Sequence, residues 1–182
     1  RGQELDILWM KQIAPKFGQT FEVRRVAPVL GLSPSDLDRR FPIEVASTGL
    51  PFIIVPVKTL EAVRKSRVRL DQLLGLIQDS EAKAFLLFSP ETDAAENDLH
   101  VRVFAHYLGV PEDPATGSAN GCLAGYLVRH RFFGSSQVDL RAEQGHEIGR
   151  SSLLLLRAEE KAGEIDVFVG GRVILVARGE LL

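Results

Sequence analysis

Residues 112–121 read Glu-Asp-Pro-Ala-Thr-Gly-Ser-Ala-Asn-Gly and run directly into an apolar segment, Cys-Leu-Ala-Gly-Tyr-Leu-Val. A strand ending near His106, a short loop and a helix opening at about Gly117 would leave several backbone N–H groups without intrahelical acceptors, pointing back into the loop. Such an entrance is an anion site, because unpaired donors and the positive end of the helix dipole both favour negative charge. Gly117 lets a ligand approach the backbone with no Cβ in the way, and the Ser118 hydroxyl adds a donor. A carboxylate or a phosphate suits it. Asp113, fixed ahead of Pro114 and one short loop from the helix, could give or take a proton beside that anion once burial tunes its pKa. The plainer reading is a helix cap supplied by Thr116 or Ser118, since Ser and Thr are preferred caps everywhere. Spacing alone does not choose between the two, and Asp113 is what favours a site.

Other chemistries find less support. A Walker-type phosphate loop ends in Gly-Lys-Ser/Thr, and this loop holds no lysine; a Gly-x-Ser-x-Gly elbow is absent too. His100, His106, His130 and His146 show no metal-ligand spacing, so no metal is expected. Cys122, the single cysteine, cannot pair within the chain; about one turn past Ser118, it reads as buried packing in a reducing compartment, with cytoplasm as the default. The basic run Arg64–Arg69 reads as a solvated helix face rather than a phosphate or membrane patch. A formal charge of −2 gives no electrostatic footprint for nucleic acid, which leaves small molecules as the expected partners.

The elements around this stretch must hold it. With 182 residues, 45% of them hydrophobic and 25% charged, the chain is long enough for one buried domain, or one domain and part of another. No apolar stretch approaches the roughly 20 residues needed to cross a bilayer, so no membrane is expected. Leu5, Ile7 and Trp9 alternate with Glu4, Asp6 and Leu8 as in a half-buried strand. Residues 15–38 read as a turn, a short helix over about Phe21 to Leu30 and a Ser-Pro-Ser-Asp loop. Strands follow at Ile43–Ser47 and Phe52–Val57, then a helix from Leu60, another over Leu-Asp-Gln-Leu-Leu-Gly-Leu-Ile, and strands on either side of an acidic loop at 91–98. A helix from Gly117 to about Phe132, rich in Gly and Ala, can be approached closely on several sides and so suits enclosure by sheet. Strands fill the remainder. The class is α+β with a mainly antiparallel or mixed sheet.

The run Glu-Asp-Pro-Ala-Thr-Gly-Ser-Ala-Asn-Gly-Cys-Leu-Ala-Gly-Tyr-Leu, followed by Glu-Gln-Gly-His-Glu-Ile-Gly-Arg and a Gly-Gly in the closing strand pair, resembles the PhzF-like family. These are phenazine-biosynthesis-type isomerases and predicted epimerases that share the diaminopimelate epimerase fold. The resemblance extends through Met10–Gly18, Ser47–Val57 and Arg102–Ala105. It implies a mixed sheet curled around a central helix, as the second half of a two-half fold whose active site lies where two helix entrances face each other. Residues 1–40 would then be the tail of the first half and a connector, and 41–182 the second domain, its last strand returning to the first half. The resemblance also implies homodimers and no cofactor.

Carried over onto this sequence, Asp113 matches the family's acidic residue beside the site, and Gly117 with Ser118 the substrate-carboxylate-binding entrance, Thr116 belonging to the same substrate-binding run. In the diaminopimelate epimerase and proline racemase relatives the proton carriers are cysteines, one of them at the place of Asp113; aspartate here disfavours a two-thiol racemisation. His106 stands where the family often has proline and could face the cleft, while Arg102, Gln144 and Arg150 read as supports. The family's proton-moving glutamate and a Gly-His entrance belong to the first half, upstream of Arg1. The resemblance therefore implies a cofactor-independent isomerase or epimerase acting on a small carboxylate, with this fragment inactive alone. The alternative is a non-catalytic ligand- or partner-binding module of the same fold. A hydrolase with Asp113 as nucleophile is disfavoured, because no histidine stands at an activating spacing.

Overall fold

In the computed structural model, which describes residues 4–174 and 176–180, ten strands form one mixed sheet. They are β1 (Glu4–Lys11), β2 (Lys16–Phe21), β3 (Ile43–Ser47), β4 (Pro51–Pro56), β5 (Ala84–Ser89), β6 (Leu99–Ala105), β7 (Val110–Asp113), β8 (Gln137–Gln144), β9 (Ser152–Lys161) and β10 (Glu164–Ile174). Helices α1 (Val23–Val29), α2 (Leu60–Lys65), α3 (Leu70–Ile77) and α4 (Gly117–Arg129) connect them. The strand order is β1-β10-β9-β8-β6-β5-β4-β3-β2, with β7 a short flap on β6. Among the described residues only β4–β5 and β6–β8 run parallel, and each of these pairs is joined by a helical crossover as parallel strands require. The α+β class expected from the sequence is the one observed.

Two cores lie on the two faces of the sheet, and the strands' alternation divides them. Phe52, Ile54, Leu86, Phe88, Val101 and Val103 face inward onto α4, while Ile53, Val55, Phe85 and Leu87 face outward onto α1, α2 and α3. Helix α4 touches β3, β4, β5, β8, β9 and β10, so the sheet curls around it. Its residues Ala119 to Val128 are all buried. Close approach on several sides demands small side chains: a Cβ on Gly125 would lie 2.8 Å from Pro15, and one on Gly121 would lie 3.1 Å from Gln12. The large buried residue of the helix, Tyr126, donates its hydroxyl to the Pro42 carbonyl at 2.6 Å, and burial pushes its pKa well up.

Several local expectations change. Residues Lys16–Phe21, read as a turn, form β2, an edge strand whose outward positions are exposed and so carry little alternation in hydropathy. Val110–Asp113, read as loop, form β7. In β1 the expected face is half-buried at Trp9 and exposed at Ile7, while Leu8 and Met10 of the opposite face are exposed, and the pairing with β10 shifts register between Leu5 and Leu8. Helix α4 ends at Arg129 rather than Phe132. Among the described residues no helix is long and apolar enough to cross a membrane.

Two glycine-to-alanine changes in helices should therefore move stability in opposite directions. Gly125→Ala forces a methyl into Pro15 and should cost about 1–3 kcal/mol. Gly75→Ala in α3, where a Cβ meets nothing within 4 Å, should gain about 0.5–1 kcal/mol. Urea unfolding of the two variants beside wild type measures both.

Candidate active site

The short strand β7 delivers Asp113 at its last position, paired to Val103 of β6, and three residues later Thr116 stands at the N-cap of α4. Thr116 has the extended backbone of a cap, with φ −106° and ψ 90°, yet its side chain caps nothing. Its hydroxyl donates instead to Asp113 Oδ2 at 2.5 Å. The first-turn N–H groups of α4, those of Gly117 and Ser118 among them, thus receive no cap from it. Gly117 lines a cavity of about 760 Å³ together with Ala115, Arg141, Leu154 and Arg172. Hollows of comparable size at Val138 and Arg157, and at Phe21 and Arg39, lie elsewhere on the molecule and include none of the 113–118 segment. Of the four residues the sequence singles out, Thr116 and Asp113 are hydrogen-bonded to each other and Gly117 lines the cavity, while Asp113, Thr116 and Ser118 stand outside its lining.

Behind this loop stands Gln144, the last residue of β8 and fully buried. Its Nε2 donates to the Asp113 carbonyl at 2.6 Å and to Thr116 Oγ1 at 3.0 Å. Its Oε1 accepts from Asn120 Nδ2 at 2.8 Å and from the Thr116 N–H at 3.3 Å. Gly145 follows with φ +81°, and a Cβ there would lie 2.5 Å from the Arg150 carbonyl oxygen and 2.9 Å from that of Pro114. The Arg150 N–H closes this turn onto the Gly145 carbonyl at 2.9 Å.

On the outer face of β6, where the pattern calls for apolar residues beside Phe104, stand His100 and Arg102, both buried. Arg102 grips Glu112 with two bonds, 2.9 and 2.7 Å, and donates to the carbonyls of Val63, Arg64 and Ser66 at the end of α2. His100 lies between two carboxylates, Nδ1 2.7 Å from Glu143 Oε1 and Nε2 2.8 Å from Glu147 Oε1. Only the imidazolium donates from both nitrogens. Burial pulls the His100 pKa down, but the hydrogen bonds and charges of Glu147 and Glu143 outweigh it and hold it above the ordinary histidine value. Burial likewise pushes both carboxyls up, and their partners, Asn97 and His100 for Glu143 and His100 for Glu147, bring each below its usual value.

The spacing of the histidines in the chain hid this cluster. The parallel pairing His100↔Glu143 sets β6 against β8, and the turn after β8 brings His146 within 5.3 Å of His100, ring to ring. Asp93, His100, Glu143 and His146 thus hold four ligand-type atoms within 4.8 Å of one another, a set that could take a divalent ion. Each of those atoms already has a partner: Asp93 Oδ2 meets His146 Nδ1 at 2.8 Å, and Asp93 also pairs with Arg64. Contacts of 2.7 and 2.8 Å are hydrogen bonds, shorter than the edge of about 3.3 Å that bonds of about 2.0 Å give a tetrahedral zinc site. His106 lies apart, its ring 6.1 Å from Phe104 of the outer core and outside the lining of the cavity at Gly117. Burial lowers its pKa. Cys122 is buried as packing, its thiol pKa pushed up by burial, with Sγ 3.7 Å from Thr48 Oγ1.

Two tests follow from this geometry. Gly145→Ala requires a left-handed alanine pressed against two backbone oxygens and should destabilise the chain by about 2–4 kcal/mol in urea unfolding. The His100 imidazolium contributes fully below its unfolded value, about pH 6.5, and that contribution falls as pH rises through the raised folded value. The two glutamates contribute above about pH 4.5 and lose their effect as pH falls through their lowered values. Unfolding midpoints should therefore decline from about pH 6.5 upward, and His100→Gln should remove that decline.

Comparison with known proteins places this site in context. A family model described as phenazine biosynthesis-like protein matches residues 4–179. An uncharacterized isomerase of Bacillus subtilis is 32% identical over 167 residues, covering 91% of this chain and 56% of that protein. Trans-2,3-dihydro-3-hydroxyanthranilate isomerase of Pseudomonas chlororaphis is 34% identical over 155 residues, covering 84% of this chain and 51% of that protein. A crystal structure of a PhzF family phenazine biosynthesis protein from Bacillus anthracis superposes with a TM-score of 0.82 at 26% identity, over 93% of this chain and 59% of that one. The chain spans about half the length of the curated relatives it matches. With the curled sheet, the 113–118 loop and nearly the whole chain matched, it belongs to the phenazine biosynthesis-like protein family, whose relatives are named isomerases.

Proposed function

We propose that this chain supplies one wall of the active site of a cofactor-independent isomerase or epimerase acting on a small carboxylate. The observation that carries the reading is the uncapped entrance of α4: Thr116 spends its hydroxyl on Asp113 and leaves the first N–H groups of the helix without a cap, at a glycine that lines a cavity. The Gly117 and Ser118 amides would hold the substrate carboxylate. Asp113 would position or polarise the substrate beside it. Donors fixed before the reaction begins can supply several kcal/mol of transition-state stabilisation.

The reaction itself is a proton leaving one carbon and returning to another, or to the opposite face of the same carbon, so no redox partner is needed. We assign the main acid and base to a glutamate on an upstream half. In this reading the fold is diaminopimelate epimerase-like, residues 41–182 form its second domain, residues 1–40 the tail of the first, and the working protein is a cytoplasmic homodimer. The name of the Pseudomonas chlororaphis relative supplies the first substrate to try, trans-2,3-dihydro-3-hydroxyanthranilate.

The test uses the polypeptide with an upstream half joined to this chain. Turnover in deuterated water should place solvent deuterium in the product, and Asp113→Asn should lower kcat about 100-fold or more. The 182-residue chain alone should show no turnover. Turnover by the chain alone, or full activity of Asp113→Asn, would overturn the assignment. Carboxylate binding with no turnover by the longer polypeptide on any acid of this class would favour the binding module instead.

A further inference from the structure

We infer that Gln144 is a positioning residue that keeps the entrance of α4 open to anions by dictating where the Thr116 hydroxyl points. The inference rests on the site proposed above and assigns its control to a side chain that touches no ligand.

The orientation of the Gln144 amide is fixed by its surroundings. One side meets an acceptor, the Asp113 carbonyl, and the other meets two donors, Asn120 Nδ2 and the Thr116 N–H. A flipped amide would set two carbonyl oxygens 2.6 Å apart and face N–H against N–H. Nε2 therefore donates to Thr116 Oγ1, which becomes an acceptor there. A hydroxyl has one proton, and with that lone pair engaged it goes to Asp113 Oδ2 at 2.5 Å. The relay runs in one direction, from Gln144 through Thr116 to Asp113.

Its result runs against an ordinary preference. A threonine at an N-cap normally accepts from the second or third N–H of the helix, and Thr59, at the N-cap of α2, accepts from the Ala62 N–H at 3.2 Å. Thr116 occupies the same position on α4 and does not. The amide of Gln144 is the difference between them, because it fastens the Thr116 oxygen toward Asp113. Without that amide the threonine is released to turn inward and cap the amides itself, closing the entrance to a carboxylate. Gln144 holds its place firmly, since Glu143 before it and Glu147 after it are both fastened to His100, and Gly145 is wedged against Pro114.

A merely structural glutamine would act regardless of Thr116, so the test is a double-mutant cycle. Sodium benzoate is titrated into the labelled chain while the backbone amide signals of Gly117 and Ser118 are followed by NMR. Wild type should show saturable shifts at those two amides. Gln144→Met should bind benzoate about tenfold more weakly. In a Thr116→Val background, where no hydroxyl can cap, the same Gln144→Met change should have no further effect. Equal affinity for wild type and Gln144→Met, or the same loss in both backgrounds, would overturn the inference while leaving the site intact. An absence of benzoate shifts at Gly117 and Ser118 in wild type would instead overturn the site, and this inference with it. Should Gln144→Met fail to fold, Gln144→Leu serves in the same cycle, because it too removes both donors and adds no charge beside the entrance.

Discussion

Ten consecutive residues of α4, Ala119 to Val128, are buried, and a helix enclosed in this way must be touched on every side by something that can come close. The constraint is steric before it is chemical. Gly121 and Gly125 admit Gln12 and Pro15, Ala124 and Ala119 line the inner core, and the polar groups the helix buries find partners, Tyr126 at the Pro42 carbonyl and Asn120 at Gln144 Oε1. A helix gripped over its whole length cannot slide or tilt, so the position of its first turn is set by packing several residues away. An anion-binding entrance benefits from that rigidity, because its donors need no reorganisation when charge arrives.

The outer face of the sheet solves a harder problem at β6. Isolated buried charges are costly, and His100 and Arg102 are kept only because each of their donors has a partner. Arg102 fastens Glu112, which leads β7 into Asp113, and His100 fastens Glu143 and Glu147, which bracket Gln144. Both charged residues thus hold the segments that frame the site from behind, while the inward residues that alternate with them, Val101 and Val103, belong to the core around α4. One strand serves packing on one side and placement on the other.

Much of this was legible in the residues. The Pro-Ala-Thr-Gly-Ser run announced a helix entrance, the small residues of 117–125 announced an enclosed helix, and the apolar alternation of β3 to β6 and β8 to β10 announced strands. What escaped was decided by pairing rather than pattern. Lys16–Phe21 becomes a strand because β3 offers it an edge, and Val110–Asp113 because β6 does. His100 and Glu143 are 43 residues apart, and only the parallel register of β6 and β8 makes them neighbours. At Thr116 the residue type pointed to a cap, and the local preference yielded to a glutamine from a distant strand.

The strand order carries a consequence of its own. β1 and β2 stand at the two ends of a nine-strand path, eight spacings apart, which would separate them by about 38 Å in a flat sheet. Yet only residues 12–15 join them, a link that reaches about 18 Å at full stretch. Connectivity therefore obliges the sheet to roll nearly shut, whatever its side chains prefer. Among the described residues no ladder joins β1 to β2, so the roll has a seam held by a tether instead of hydrogen bonds. Gln12 and Pro15 of that tether are the residues pressed onto Gly121 and Gly125, so the strap that closes the cylinder is also the lid over its axle.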